Sequence, residues 1–193
     1  MDSQVRKELA ASAARWIADG GLDYGAAKQR AVRELFGDAR APRAVLPDNE
    51  QIDEALREHL ALFDDGHTER VDRMRRVTLA LMDELADFSP LATGAVWKGI
   101  ATEHAPIHLQ LFHDNAKDVP IRLINRRVDY DAVTVPHFRT GEDVEAFACL
   151  WHDQPVLLSV YGEHDLRGAL KPVNGVTQRG DRRALARLME TAE

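Results

Sequence analysis

Eight histidines, several of them beside acidic residues, are the first groups in this sequence that could do chemistry. His104, His108 and the pair His113-Asp114 lie close together, and imidazole with carboxylate suits a transition metal such as zinc. On a strand over residues 106–112, His108, Gln110 and Phe112 share one face, and Ile107, Leu109 and Leu111 take the other. His113 then faces away from His108 and His104 falls in a turn. No ligand pair has a recognised spacing, so scattered histidines are the simpler account, and neither a metal nor a cofactor is assigned. His108 is still the titratable group best placed to line a cleft. Glu103, Asp114, Asp118, Asp129 and Asp131 gather near strand ends and could rebuild a metal site, but solvated turns explain them equally well. Ser159 sits in an apolar strand with no nucleophile-elbow context. Cys149, in the apolar run from Ala146 to Trp151, reads as a buried, inert thiol. Trp97 and Lys98 lie between two glycines, Gly94 and Gly99, where a lysine could meet a phosphate and an indole could stack on a base. A core tryptophan and a strand-end lysine are the plainer reading.

The chain behind these groups has 193 residues, 45% apolar and 30% charged, enough for one sizeable core or a compact domain with a helical extension. A net charge of -7 argues against a general nucleic-acid binder, which usually shows a basic surplus. The acidity is spread along the chain, with one local reversal. Residues 166–193 hold six Lys/Arg (Arg167, Lys171, Arg179, Arg182, Arg183, Arg187) against three acids, a stretch that could meet an anion or form a solvated helix face. A single cysteine permits no intrachain disulfide and suits a reducing compartment. The charged stretch Met1–Leu9 lacks the apolar core of a signal peptide, and no apolar run approaches the ~20 residues of a membrane span. The cytoplasm is the default location.

The elements that must position these residues come in two styles. Helical spacing predicts helices over 3–18, 23–36, about 48–63 and 67–87, punctuated by Gly20-Gly21, Gly37, Pro42 and Asp64-Asp65-Gly66. Asp48 with Gln51 has the spacing of a capping box. On the fourth helix, Arg70, Arg73, Arg75 and Arg76 read as a solvated flank. After Ser89-Pro90 the period changes. Residues 91–98, 106–112 and 119–126 predict short strands, the last two joined by a hairpin at Asn115–Asp118. Glu145–Trp151 and Val156–Tyr161 predict a second hairpin around His152–Pro155, followed by a loop over Pro172–Gly180 and a closing helix at 181–191. The fold class is α+β: N-terminal helices followed by a mixed or antiparallel sheet flanked by helices. The division is 1–65 for the helical region and 66–193 for the α+β domain.

Residues 91–112 contain Gly94-Ala95, Gly99 and then Ala105-Pro106-Ile107-His108-Leu109. This arrangement resembles the signature of the polymerase-beta-like nucleotidyltransferase superfamily, which has Gly-Ser at a strand end, a second glycine soon after, and Ser-Asp-Ile-Asp-Leu on the next strand. The preceding helix at 67–87 and the following segment at 119–126 also stand in that family's order. The resemblance covers about half the chain and leaves residues 1–65 outside it. The closing segments Gly162–Leu170 and Pro172–Arg179 are similar to those of a bacterial family with no settled activity.

In such enzymes two carboxylates one residue apart on a strand share divalent cations, which clamp the triphosphate and help activate the attacking hydroxyl. The Gly-Ser turn lets backbone N–H groups approach the phosphates. Here Ala95 stands for the serine, and Pro106 and His108 stand for the carboxylates. The third carboxylate, expected around Val156–Ser159, has no acid either. The resemblance therefore implies a non-catalytic, nucleotidyltransferase-like protein, a pseudoenzyme. It would bind a nucleotide-like anion or a protein partner through Gly94, Ala95, Lys98, Gly99 and His108. Two alternatives stay open: a divergent metal-dependent transferase with a site rebuilt around His108, and a helical interaction protein that forms a homodimer.

Overall fold

The computed structural model describes residues 2–191. The chain divides into two compact units, Met1–Arg70 with Gly99–His104, and Val71–Lys98 with Ala105–Glu193.

The first unit is helical. Helices α1 (Asp2–Ala18), α2 (Tyr24–Phe36) and α3 (Asn49–Phe63) are joined by short loops and a 3-10 turn at Arg43–Val45. Ala13, Ala14, Ala27 and Ala31 are buried, and these small side chains let α1 and α2 approach closely around Leu9, Ile52 and Leu56. Asp23 caps α2 by accepting from the Ala26 N–H at 2.8 Å. The capping box of α3 is formed as expected, with Asp48 accepting from Gln51 N–H and the Gln51 side chain accepting from Asp48 N–H. Tyr24 hydroxyl donates to Asp53, which is 7% exposed. Gly21, at φ +64, lies against His104, leaving no room for a Cβ.

The second unit is built on one six-stranded sheet. The fourth helix, α4 (His67–Glu84), leads through a 3-10 turn to β1 (Leu91–Thr93), α5 (Gly94–Lys98), β2 (Ile107–Phe112) and α6 (Asp118–Asn125). Then come β3 (Tyr130–Pro136), β4 (Asp143–Trp151), β5 (Gln154–Tyr161), α7 (Glu163–Leu166), β6 (Arg179–Gly180) and α8 (Arg182–Glu190). The strand order is β3-β4-β5-β2-β1-β6. Every pairing is antiparallel except β2 with β5, which run parallel with Gln110 opposite Ser159. The mixed α and β content and the order, helices then sheet, agree with the sequence reading.

Three local expectations are corrected. Residues 119–126 lie in a helix, α6, and not in a hairpin strand. Val119 and Leu123, four apart, are its buried side chains, and Pro120 falls in its first turn, where a missing N–H is harmless. The strand expected over 91–98 stops at Thr93, because Gly94 takes φ +71 and turns the chain into α5. The arginines of α4 are not uniformly solvated. Arg70 is 9% exposed and donates to the Ala101 carbonyl at 3.1 Å and to Asp64. Arg75 donates to the Val96 and Trp97 carbonyls at 3.1 and 3.0 Å, satisfying the open end of the short α5. Beyond these, Tyr130–Pro136 forms the edge strand β3, and the loop expected over Pro172–Gly180 ends in the two-residue β6. The hairpin at 151–154 is tighter than the sequence suggests. Only His152 and Asp153 turn the chain, both at positive φ (49 and 64).

Candidate functional site

Strand alternation and register decide which side chains meet in the second unit. Ile107, Leu109 and Leu111 of β2, with Val156, Leu158 and Val160 of β5, are buried on one face of the sheet. The other face carries His108, Gln110 and Phe112 beside Leu157, Ser159 and Tyr161. A row of polar groups thus lies on the parallel pair in the middle of the sheet, and most of it is buried: Gln110 is 3% exposed, Ser159 0% and Tyr161 4%.

These groups are linked to one another. His108 Nε2 is 2.8 Å from Ser159 Oγ, and Gln110 Nε2 donates to the Tyr161 hydroxyl at 3.5 Å. Burial, and then the nearby positive charge of Arg179, push the His108 imidazole down to about 4, so the ring is neutral at physiological pH. Burial pushes the Tyr161 phenol up. The apolar end of the face is closed by a cluster of Leu91, Phe112, Tyr161 and Ala169, with Phe138, Val144 and Leu166 packed against it.

Arg179 reaches this face from β6. Its strand is held against β1 by Thr93 Oγ1, which donates to the Gln178 carbonyl at 2.9 Å, and by Trp97 Nε1, which donates to the Thr177 carbonyl at 3.0 Å. Gly180 makes that approach possible, since a Cβ there would stand 2.3 Å from the Trp97 ring. The Arg179 guanidinium lies 4.5 Å above the Phe138 ring, and its Nη1 donates to the Ala169 carbonyl at 2.6 Å. Arg179 forms no ion pair among the described residues, and its Nε is buried without a hydrogen-bond partner. Burial holds the guanidinium below its usual range. The Gln110 Oε1 atom is likewise buried and unpartnered, so the same face holds an unsatisfied donor and an unsatisfied acceptor.

The residues singled out from the sequence are only partly brought together. Gly94 is against His108: a Cβ on it would lie 3.5 Å from His108 Cβ, so its positive φ, and not lack of space, demands glycine. Ala95 and Lys98 follow on α5, both half-buried, and Gly99 takes φ +73 just beyond it. Pro106, where the family would place an acid, is exposed just before β2. Gln110, Tyr161 and Arg179 had no distinguishing motif. The only sequence signal for Arg179 was the local basic excess of residues 166–193. Ser159, read as a core serine, is in the core but is also the partner of His108. With no exposed surface it is not accessible as a nucleophile.

The other histidines and acids form separate contacts. His113 Nε2 meets Asp118 at 2.8 Å. His137 Nε2 donates to Asp165 at 3.1 Å, while its Nδ1 accepts from the Arg139 and Thr140 N–H groups. Burial acts to raise the Asp165 carboxyl, but hydrogen bonds from His137 and Arg139 prevail and hold it below its ordinary value. Cys149 is half-buried, and burial pushes its thiol up, away from reactivity. Among the described residues, no three His, Cys, Asp or Glu side chains are grouped so as to hold a metal ion. No helix among them is long and apolar enough to cross a membrane. Compared with protein-family models, with curated proteins and with solved structures, the chain gives no match.

Proposed function

We propose that this protein is a non-catalytic relative of the polymerase-beta-like nucleotidyltransferases that binds an anionic, phosphate-bearing ligand on the His108 face without a metal. The observation that carries the reading is Arg179, a half-buried guanidinium with an unpaired Nε and, among the described residues, no carboxylate partner. An unpaired buried cation is costly, and an anion is the natural counter-charge. The neutral His108 and its serine partner support the same view. They stand on neighbouring parallel strands, where the resemblance leads one to expect carboxylates, and imidazole is a poor ligand for magnesium. In place of two metal ions clamping a triphosphate, one arginine supplies the positive charge. The Gly94 turn lies against His108, and the buried Gln110, Ser159 and Tyr161 side chains form the neutral polar layer beneath them.

Calorimetric titration with pyrophosphate and with nucleoside triphosphates, in the presence of a chelator, tests this. Saturable binding that survives chelation and is lost in Arg179→Met is expected. Heat-silent titrations with both ligands, or binding that requires magnesium, would sink the proposal.

A second reading, interaction through the helical first unit, is favoured by Leu62 and Phe63 at the end of α3, which are 73% and 74% exposed. Replacing both with Ser and measuring mass by light scattering tests it. An unchanged, strictly monomeric mass before and after substitution would remove it.

A further inference from the structure

β3 is the outer strand of the sheet, and nothing among the described residues covers it. Residues 131–134 are all exposed, including Val133 at 39%. The direction of its backbone groups follows from the ladder. His137 N–H donates to the Glu142 carbonyl at 2.7 Å, in register with the Pro136–Asp143 pair. Alternation then turns Val135, Val133 and Asp131 towards β4 and leaves the N–H and C=O groups of Tyr130, Ala132 and Thr134 facing outward. β3 contains none of the usual protections of an edge: no lysine, no bulge and no covering loop. Only Asp131 and the terminal Pro136 interrupt it.

We propose that β3 pairs antiparallel with β3 of a second copy of this chain, about a two-fold axis through Val133, joining the two sheets edge to edge. The strand suits its own copy in this register. Ala132 lies opposite Thr134 of the second copy and Tyr130 opposite its Pro136. Pro136 then has only to accept, and about six backbone hydrogen bonds form. Asp131 falls opposite Val135 of the second copy, so no like charges meet within the strand, and the two Val133 side chains face each other at the axis.

The test uses the full chain. Sedimentation or light scattering across a hundredfold concentration range is expected to reveal a dimer. Thr134→Pro, which removes an outward N–H that the fold does not use, is expected to weaken the dimer at least tenfold while leaving the circular dichroism unchanged. On a Cys149→Ser background, Val133→Cys should form an intermolecular disulfide, because directly opposed residues at a non-hydrogen-bonded position are about 4.5 Å apart at Cα. Asp131→Cys should not, its two copies being about 13 Å apart along the strands. A monomer at every concentration overturns the proposal. So does a dimer indifferent to Thr134→Pro, or one that crosslinks through position 131 and not 133. None of these outcomes depends on whether the His108 face binds an anion.

Discussion

His108 Nε2 and Ser159 Oγ are 2.8 Å apart, across the only parallel strand pair of the described sheet. The bond joins a neutral, titratable ring to a hydroxyl with no exposed surface. It has the distance of a catalytic dyad and the burial of a structural contact, and burial decides between them.

The first prediction concerns pH. The His108 imidazole is held at about 4 in the folded chain, below the ordinary 6.5, so between these values the unfolded chain binds the extra proton. The contribution is fully present above pH 6.5, and stability falls as pH drops from 6.5 through 4. The loss is on the order of 2 kcal/mol, discounted because the ring is partly exposed. Melting temperature against pH should therefore fall more steeply in this window for the parent than for His108→Gln. Parallel curves would contradict it, as would an imidazole that titrates near 6.5 by NMR.

Restoring a carboxylate should not restore a metal. In His108→Asp the new acid meets Arg179, whose charge already depresses the pKa of the imidazole at that position. An ion pair is the expected outcome, with no uptake of magnesium or manganese at millimolar concentration by calorimetry. Stoichiometric metal binding by this single variant would show that Arg179 does not occupy the place of the cation.

Arg75 and Arg73 lie on the same helix and should behave differently. Arg75 supplies both hydrogen bonds to the Val96 and Trp97 carbonyls, whereas Arg73 is exposed. Arg75→Ala is expected to cost about 1–3 kcal/mol in urea unfolding and Arg73→Ala less than about 0.5 kcal/mol. Equal effects would mean that the end of α5 does not depend on that guanidinium.

In the helical unit, Tyr24→Phe should destabilise by about 1–3 kcal/mol, since it takes a hydroxyl donor away from the buried Asp53. Chemical denaturation checks this, and an unchanged midpoint would indicate that the other contacts of Asp53 suffice.

Much of the fold was legible because local chemistry and final structure agree. Asp48 with Gln51, the stop at Gly37, and the face shared by His108, Gln110 and Phe112 follow from capping and alternation alone. α6 was misread because Val119-Pro120-Ile121-Arg122-Leu123 alternates well enough to pass for a strand. The spacing of Val119 and Leu123 and the position of Pro120 fit a helix better. β3 escaped notice because it is an exposed edge and has no buried face to impose a pattern on its side chains. The candidate site was half legible. Gly94 and His108 share a local segment, but Ser159 and Arg179 reach the same face through sheet pairings that link distant parts of the chain.

Gly180, which clears the Trp97 ring, is followed directly by Asp181, which caps α8 by accepting from the Ala184 N–H. The cation, the clearance that lets it be held and the start of the closing helix are therefore encoded in consecutive residues, Arg179-Gly180-Asp181. That gives a rule for sorting other sequences. A chain with this tripeptide and an indole at the place of Trp97 can bring an arginine over the sheet in the same way. A chain with any side chain at the middle position must seat its C-terminal segment differently, however well its Gly94 and His108 positions align.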